Sequence, residues 1–237
     1  KRVRRKGRGN LVTDVDILSE EAMLRLLQRE YPGFSILTEE SEGVVSYSSY
    51  TWIIDPLDGT NNYTFGIPFF CVTVALTQGD EILLGVTYDP LRDELFQVEK
   101  GKGAYLNGSH MSVSRRKSLQ VSLVGFDMGY DDEKGKEILQ IISGLWPGVH
   151  SLRVMGSAAL GLAYVACGRV DLYFHRCLYP WDIASGILLV NEAGGKVTDW
   201  DGQPAGIHTE EVIASSGTLH AEFLGLIEGM GYPKLMP

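Results

Sequence analysis

The chain has 237 residues, 44% of them hydrophobic and 22% charged, with a formal net charge of -9. It can bury a sizeable core as one domain or two small ones, and its acidic body argues against a nucleic-acid backbone as partner. No apolar run approaches the roughly 20 residues of a membrane helix, and no hydrophobic signal-peptide core stands near the start, so a cytoplasmic location is expected.

The first eight residues, KRVRRKGR, read as a mobile, solvated basic segment, with an arm that grips nucleic acid or an anionic substrate as the alternative. The first residue is a lysine, so further residues are expected before it. After GRGN the pattern turns helical. Leu18, Ala22, Met23, Leu26 and Leu27 recur at helix spacing, Thr13 or Asp14 can cap the start, and Pro32-Gly33 stops the run. FSILTEESEG predicts a short strand ending at Glu39-Glu40, and TWIID another that delivers Asp55 at its end.

From Phe69 onward the sequence reads as an antiparallel meander, with turns at Gly79-Asp80 and Pro90 and a hairpin signal at Asn107-Gly108. Beyond about residue 120 strands and helices alternate: VSLVGF, a helix over 132–145, SLRV, a helix SAALGLAYVAC closed by Gly168, VDLYF, a helix DIASGILLVNEA closed by Gly194-Gly195, GKVTD, EVIASS and a last helix. This change of rhythm predicts two subdomains, 1–120 and 121–237, in an α/β (α+β) chain. Cys71, Cys167 and Cys177 are odd in number, widely spaced and without a C-x-x-C pair. That pattern predicts buried, reduced thiols in place of a disulfide framework or a cysteine zinc site.

The chemistry concentrates in acids at the ends of elements: Glu39 and Glu40, Asp55 and Asp58, and Asp182. A hard divalent cation such as Mg2+ takes carboxylate and carbonyl oxygens, and acids at adjacent strand and helix ends can converge to supply them. In DPLDGT, proline turns the chain so that Asp58 can face the same point as Asp55, leaving the Leu57 carbonyl as a possible ligand. Gly59 permits close backbone approach, and Thr60 stands where TNNYTF can open a helix whose amides favour an anion. Each feature also has a plain structural reading. Asp-Pro-x-Asp-Gly makes a good turn, Asp182 is placed to cap a helix, and Glu39-Glu40 can be a solvated loop.

Taken together, WIIDPLDGTNNY, LTEES and PWDIASGILLVNEAGG resemble three signature segments of the inositol monophosphatase family, and NLVTDVD and GKGAYLNG resemble further segments in the same order. The resemblance spans nearly the whole chain. It implies a layered α/β/α/β/α sandwich of the inositol monophosphatase/fructose-1,6-bisphosphatase type, and a Mg2+-dependent phosphomonoesterase acting on a small phosphorylated polyol or sugar. It implies that Glu39, Asp55 and the Leu57 carbonyl bind one Mg2+, that Asp55, Asp58 and Asp182 bind a second, and that a weaker third ion sits near Glu39. The phosphate would rest on the amides of Gly59 and Thr60, with Asp58 and Asp182 beside it. Asp16 would work with Thr60 to orient the attacking water. A homodimer and lithium inhibition are also implied.

RVMGSAA resembles the family segment that lines the substrate pocket, which makes Gly156, Ser157 and Ala158 candidates; a helix cap with small packing residues is the other reading. The chain departs from the family at His175, where inositol-preferring members have a glutamate that bonds sugar hydroxyls. His175 or Arg176 can contact a sugar hydroxyl or a second phosphate, or His175 can be a surface residue without a role. Fructose-1,6-bisphosphatase and histidinol phosphatase activities therefore stand as alternatives, and 3'-phosphoadenosine nucleotidases carry insertions this chain lacks. A non-catalytic metal- and phosphate-binding regulator is the alternative from another class, and it would be favoured by a missing metal acid.

Overall fold

A computed structural model describes residues 3–5 and 11–232. In chain order its elements are β1 (Val3–Arg5), β2 (Leu11–Thr13), α1 (Asp14–Glu30), β3 (Ser35–Thr38), β4 (Tyr50–Asp58), α2 (Thr60–Phe65), β5 (Cys71–Gln78), β6 (Glu81–Asp89), β7 (Glu94–Glu99), β8 (Gly103–Leu106) and β9 (Ser109–His110). A 3-10 turn at Leu119–Val121 leads to β10 (Leu123–Phe126), α3 (Asp132–Leu145), β11 (Ser151–Val154), α4 (Ala158–Ala166), β12 (Leu172–Arg176), α5 (Pro180–Glu192), β13 (Lys196–Thr198), β14 (Glu211–Ser215) and α6 (Gly217–Gly229).

Strands β3 to β9 form a seven-stranded sheet in sequence order; β3 and β4 are parallel and every later pair is antiparallel. The second sheet has the order β11-β10-β12-β14-β13, with its first three strands parallel and β14 antiparallel to both neighbours. Alternation along the strands sets the layers. In β4, Trp52 and Ile54 pack toward Met23, Leu24 and Leu27 of α1, while Ile53 joins the core formed with α4 and α5. In β12, Leu172 and Phe174 meet α3 and α6, while Tyr173 faces α4. The order is therefore α1, seven-stranded sheet, α4 and α5, five-stranded sheet, α3 and α6. This is the layered α+β arrangement expected. Among the described residues no helix is long and apolar enough to cross a membrane.

The meander, the 132–145 helix and the two glycine-closed helices form where the sequence places them. Asn107 and Gly108 both adopt positive φ, 48° and 77°, as a two-residue hairpin requires. Three expectations are corrected. First, Leu11–Thr13 is a strand that pairs with Val3–Arg5 before the helix begins; the other residues of the basic segment lie outside the described ones. Second, α1 turns a different face inward. Leu18 and Leu26 are exposed, whereas Asp16 and Glu20 are buried in line with Met23, Leu24 and Leu27. Third, β4 runs through Pro56 to Asp58. Asp55 pairs with Thr73 and Asp58 with Cys71, three steps on one strand against two on the other, so Pro56 sits in a β-bulge and not a turn. A bulge leaves one residue out of the ladder, where proline's missing N–H is no loss.

Helix α5 lies against the seven-stranded sheet closely enough that a Cβ on Gly85 would stand 2.8 Å from the Ser185 Cα. Gly85→Val should therefore push α5 off β6, lowering stability by about 1–3 kcal/mol in urea titration; no change would mean that α5 can shift without cost.

Candidate active site

The bulge in β4 directs acids toward the N-terminal end of α5. Asp55, Asp58 and Asp182 each offer a carboxylate oxygen, all within 4.8 Å of one another. They line a cleft of about 230 Å³ together with Glu39, Leu57, Gly59, Thr60, Gly156, Ser157, Ala158 and His175. Of the residues that the family resemblance assigns to metals, phosphate, water or substrate pocket, only Asp16 is absent from the wall. It is fully buried behind Thr60, whose Oγ1 lies 2.9 Å from Asp16 Oδ1 and 3.0 Å from the Leu57 carbonyl.

Each acid is fixed by backbone donors. Asp55 Oδ1 accepts from Leu57 N–H at 2.9 Å, across Pro56. Asp58 Oδ2 accepts from Ala159 N–H at 2.8 Å and from the Ser157 hydroxyl, and its Oδ1 from Ala158 N–H at 3.3 Å. The buried carboxylate thus sits on the N-terminus of α4, where free amides and the helix dipole favour negative charge. Asp182 does not cap α5 from outside as the sequence reading had it. It is the third residue of a capping box, accepting from Tyr179 N–H at 2.7 Å. Asp16 has the same position in α1, accepting from Thr13 N–H at 2.9 Å.

Helix α1 supports the cleft from behind. Ser19 Oγ donates to the Pro56 carbonyl at 2.9 Å, and Glu20 accepts from Thr38 Oγ1 at 2.6 Å and Glu40 N–H at 3.0 Å. The bulge and the segment carrying Glu39 are both tied to one helix. Gly59 has a φ of 92°, and a Cβ there would meet the Gly156 and Phe69 carbonyls at 3.1 Å. Nothing larger than glycine fits between the strand end and the 156–158 loop. Asn62 joins the same two segments, donating to the carbonyls of Phe69 at 2.8 Å and Met155 at 2.9 Å.

Sequence reasoning missed Asp127. It lies just past the end of β10, lines the cleft, and accepts from Gly156 N–H at 2.7 Å and from the Tyr173 hydroxyl at 2.8 Å. Its signal was the one that marked Asp55: an acid at the end of an apolar strand, here VSLVGFD followed by Gly129. Arg176, by contrast, is not in the cleft. It is buried on the far face of β12, paired with Glu137 and with Glu211 at 2.9 Å, over the Trp200 ring. It is therefore not placed to meet a second phosphate.

The acids could hold a cation, and their electrostatics would suit one. Burial, then Glu39, Asp58 and Asp182, push the Asp55 carboxyl well above the usual carboxylate range. Burial followed by Asp58 does the same to Asp182. Burial also raises Asp58, with the Ser157 and helix-amide hydrogen bonds pulling it partway back. Among the described residues that line the cleft there is no lysine or arginine. Oxygen-only donors crowded at this density suit a hard divalent ion, and not the softer metals that favour sulfur and imidazole. Neither Cys71 nor Ser157 is a free nucleophile. Burial followed by Asp58 pushes the Cys71 thiol well up, and the Ser157 hydroxyl is spent on Asp58.

These acids hold protons more tightly folded than unfolded, so their contribution to stability is full below the ordinary carboxylate value and is lost as pH rises through the folded one. A divalent cation held there would relieve that loss. At pH 7.5 with chelator, Asp55→Asn should melt a few degrees above the native chain, about 2–4 °C per kcal/mol for this length. Mg2+ should raise the melting temperature of the native chain more than that of the variant, by calorimetry. The opposite order would show that the acids do not repel one another.

Comparison with known proteins gives the chain's family. A family model described as "Inositol monophosphatase family" matches residues 1–231. An inositol monophosphatase of Dictyostelium discoideum is 40% identical over 222 residues, 91% of this chain and 82% of its own. A protein of Thermotoga maritima named fructose-1,6-bisphosphatase/inositol-1-monophosphatase is 35% identical, covering 94% of this chain and 85% of its own. The crystal structure of the extragenic suppressor protein suhB from Bartonella henselae superposes with a TM-score of 0.91 at 36% identity, covering 96% of this chain and 88% of that one. The chain belongs to the inositol monophosphatase family and is, with it, a phosphoric monoester hydrolase.

Proposed function

We propose that the chain hydrolyses the phosphate monoester of a small polyol or sugar with Mg2+ held at the acid cluster. The observation that carries this reading is the meeting of Asp55, Asp58 and Asp182 in one cleft with Glu39 and with a threonine bonded to a buried aspartate. Glu39, Asp55 and the Leu57 carbonyl would hold one ion, and Asp55, Asp58 and Asp182 a second, with a weaker third near Glu39. Bound there, the ions supply neutralising charge for the phosphoryl oxygens and the leaving alkoxide, and an acidified water.

The protein's own groups do the rest. Asp16 is held as an acceptor by the Thr13 N–H, so it draws the Thr60 proton toward Oδ1. Thr60 Oγ1 then turns its lone pairs to the cleft and orients the attacking water, whose proton passes to Thr60 as the Thr60 proton passes to Asp16. The amides of Gly59 and Thr60 receive phosphoryl oxygens. With no basic side chain among the described residues of the wall, the ester's negative charge falls to the cations and these amides. Gly156, Ser157, Ala158, His175 and Asp182 border the leaving group.

The name of the Thermotoga maritima relative keeps fructose-1,6-bisphosphate as an alternative substrate, whereas the burial of Arg176 removes the side chain that would favour it. The gathering of Glu39, Asp55, Asp58 and Asp182, the acids expected to hold metal, in one cleft disfavours a non-catalytic regulator.

Phosphate release from inositol, fructose, histidinol and adenosine phosphates, measured with and without Mg2+, tests the reading. Mg2+-dependent release is expected from a polyol or sugar ester, and release that ignores Mg2+ would overturn it. Thr60→Ala should lower kcat by about 10²–10⁴ with KM within a few-fold. A loss confined to KM would contradict the role in orienting water.

A further inference from the structure

His175 departs from the family glutamate, and its chemical character depends on which ring nitrogen carries a hydrogen. The structure contains a chain of groups that decides this. Tyr173 Oη lies 2.8 Å from Asp127 Oδ2 and 3.1 Å from His175 Nδ1. Asp127 and Tyr173 are both buried, and the second Asp127 oxygen accepts from the Gly156 amide. Tyr173 cannot move aside. A Cβ on Gly161 would stand 2.7 Å from its ring and one on Gly125 3.2 Å, so the ring fills a slot that two glycines leave open.

Tyr173 has one hydroxyl proton and two polar neighbours. Above about pH 7, the value to which burial lifts Asp127, the carboxylate is ionised and only accepts, so the Tyr173 proton goes to Asp127. The Tyr173 oxygen is then an acceptor toward His175, and Nδ1 must carry the ring hydrogen. Nε2 is left bare. It is buried and has no hydrogen-bond partner among the described residues, and His175 lines the cleft. Burial holds the ring neutral, its pKa lowered to about 3.

We propose that Asp127 and Tyr173 are positioning residues that lock His175 as the Nδ1–H tautomer, so that the cleft wall presents an acceptor which selects esters that place a free hydroxyl against it over esters that place a second phosphate there. The proposal rests on the phosphomonoesterase reading above. A hydroxyl can donate to bare Nε2, whereas a phosphate dianion has only lone pairs to offer it. Through the relay the imidazole does the task of a carboxylate, and the departure from glutamate preserves an acceptor at this wall.

The test is Asp127→Asn, with Tyr173→Phe beside it, at pH 8.5, where Asp127, lifted to about 7 by burial, is ionised in the native chain. The Gly156 amide still needs an acceptor, so the introduced carboxamide gives it the carbonyl oxygen and turns its NH2 to Tyr173. Tyr173 must then donate to Nδ1, and the hydrogen moves to Nε2. Nitrogen-15 NMR of His175 should show Nδ1–H in the native chain, Nε2–H in Asp127→Asn and a mixture in Tyr173→Phe. With Mg2+, Asp127→Asn should raise KM for inositol 1-phosphate about tenfold with kcat within twofold, and should not raise KM for fructose 1,6-bisphosphate. Nε2–H in the native chain, or one tautomer in all three proteins, would overturn the relay. An unaltered KM ratio with the tautomer inverted would overturn the selection. Failure of the native chain to hydrolyse any ester would remove the phosphatase reading and the selection with it, while the spectrum alone decides the relay.

Discussion

Two buried carboxylates and a half-buried third within 4.8 Å of one another are an arrangement that no chain adopts for stability alone. The surrounding structure is organised to hold it. Asp58 is met by the N-terminus of α4, Asp182 by the capping geometry of α5, and Asp55 by the amide two residues on. Each is a short, directional bond to backbone, which cannot rotate away as a side-chain partner can. The acids remain protonated far above their ordinary range, because these donors offset only part of the cost of burial and mutual repulsion. The remaining strain is what a divalent cation held there would relieve.

The same requirement explains the polar stripe of α1. A helix that covers a sheet ordinarily turns its apolar residues inward, yet the first two turns of α1 bury Asp16 and Glu20 and leave Leu18 exposed. Asp16 supports Thr60, Ser19 holds the bulge at Pro56, and Glu20 ties down the segment carrying Glu39. Farther along, Met23, Leu24 and Leu27 resume ordinary packing against β3 and β4. One helix thus anchors the fold with its second half and the cleft with its first.

This division marks where the sequence was legible. The acids at element ends, the meander and the capped helices could be read because each is signalled by neighbours within a few residues. The inward face of α1 could not, since a periodicity count treats Asp16 and Glu20 as solvent-facing by type, and only their partners 18 to 44 residues away justify burying them. Pro56 read as a turn because Asp-Pro-x-Asp-Gly is turn chemistry; the pairing of Asp58 with Cys71, a contact with another strand, makes it a bulge. Tyr173 went unread for the same reason. Asp127 carried the local signal of an acid at a strand end, but its link to Tyr173 appears only when β10 and β12 lie side by side and Gly125 of β10 and Gly161 of α4 open the slot for the ring.

The cleft consequently has two ends built on different principles. At the acid end, support is spread over several segments: Asp58 is held by two amides and a hydroxyl, Asp55 and Asp182 by one amide each, and the end of β4 is joined to the 155–158 segment through Gly59 and Asn62. At the His175 end, one ring depends on one hydroxyl, which depends on one carboxylate. Reversal of a single proton position converts acceptor to donor without displacing a heavy atom. A phosphatase arranged in this way can alter which alcohol it recognises while the charge-neutralising end stays intact, because no hydrogen bond of the relay reaches Asp55, Asp58 or Asp182.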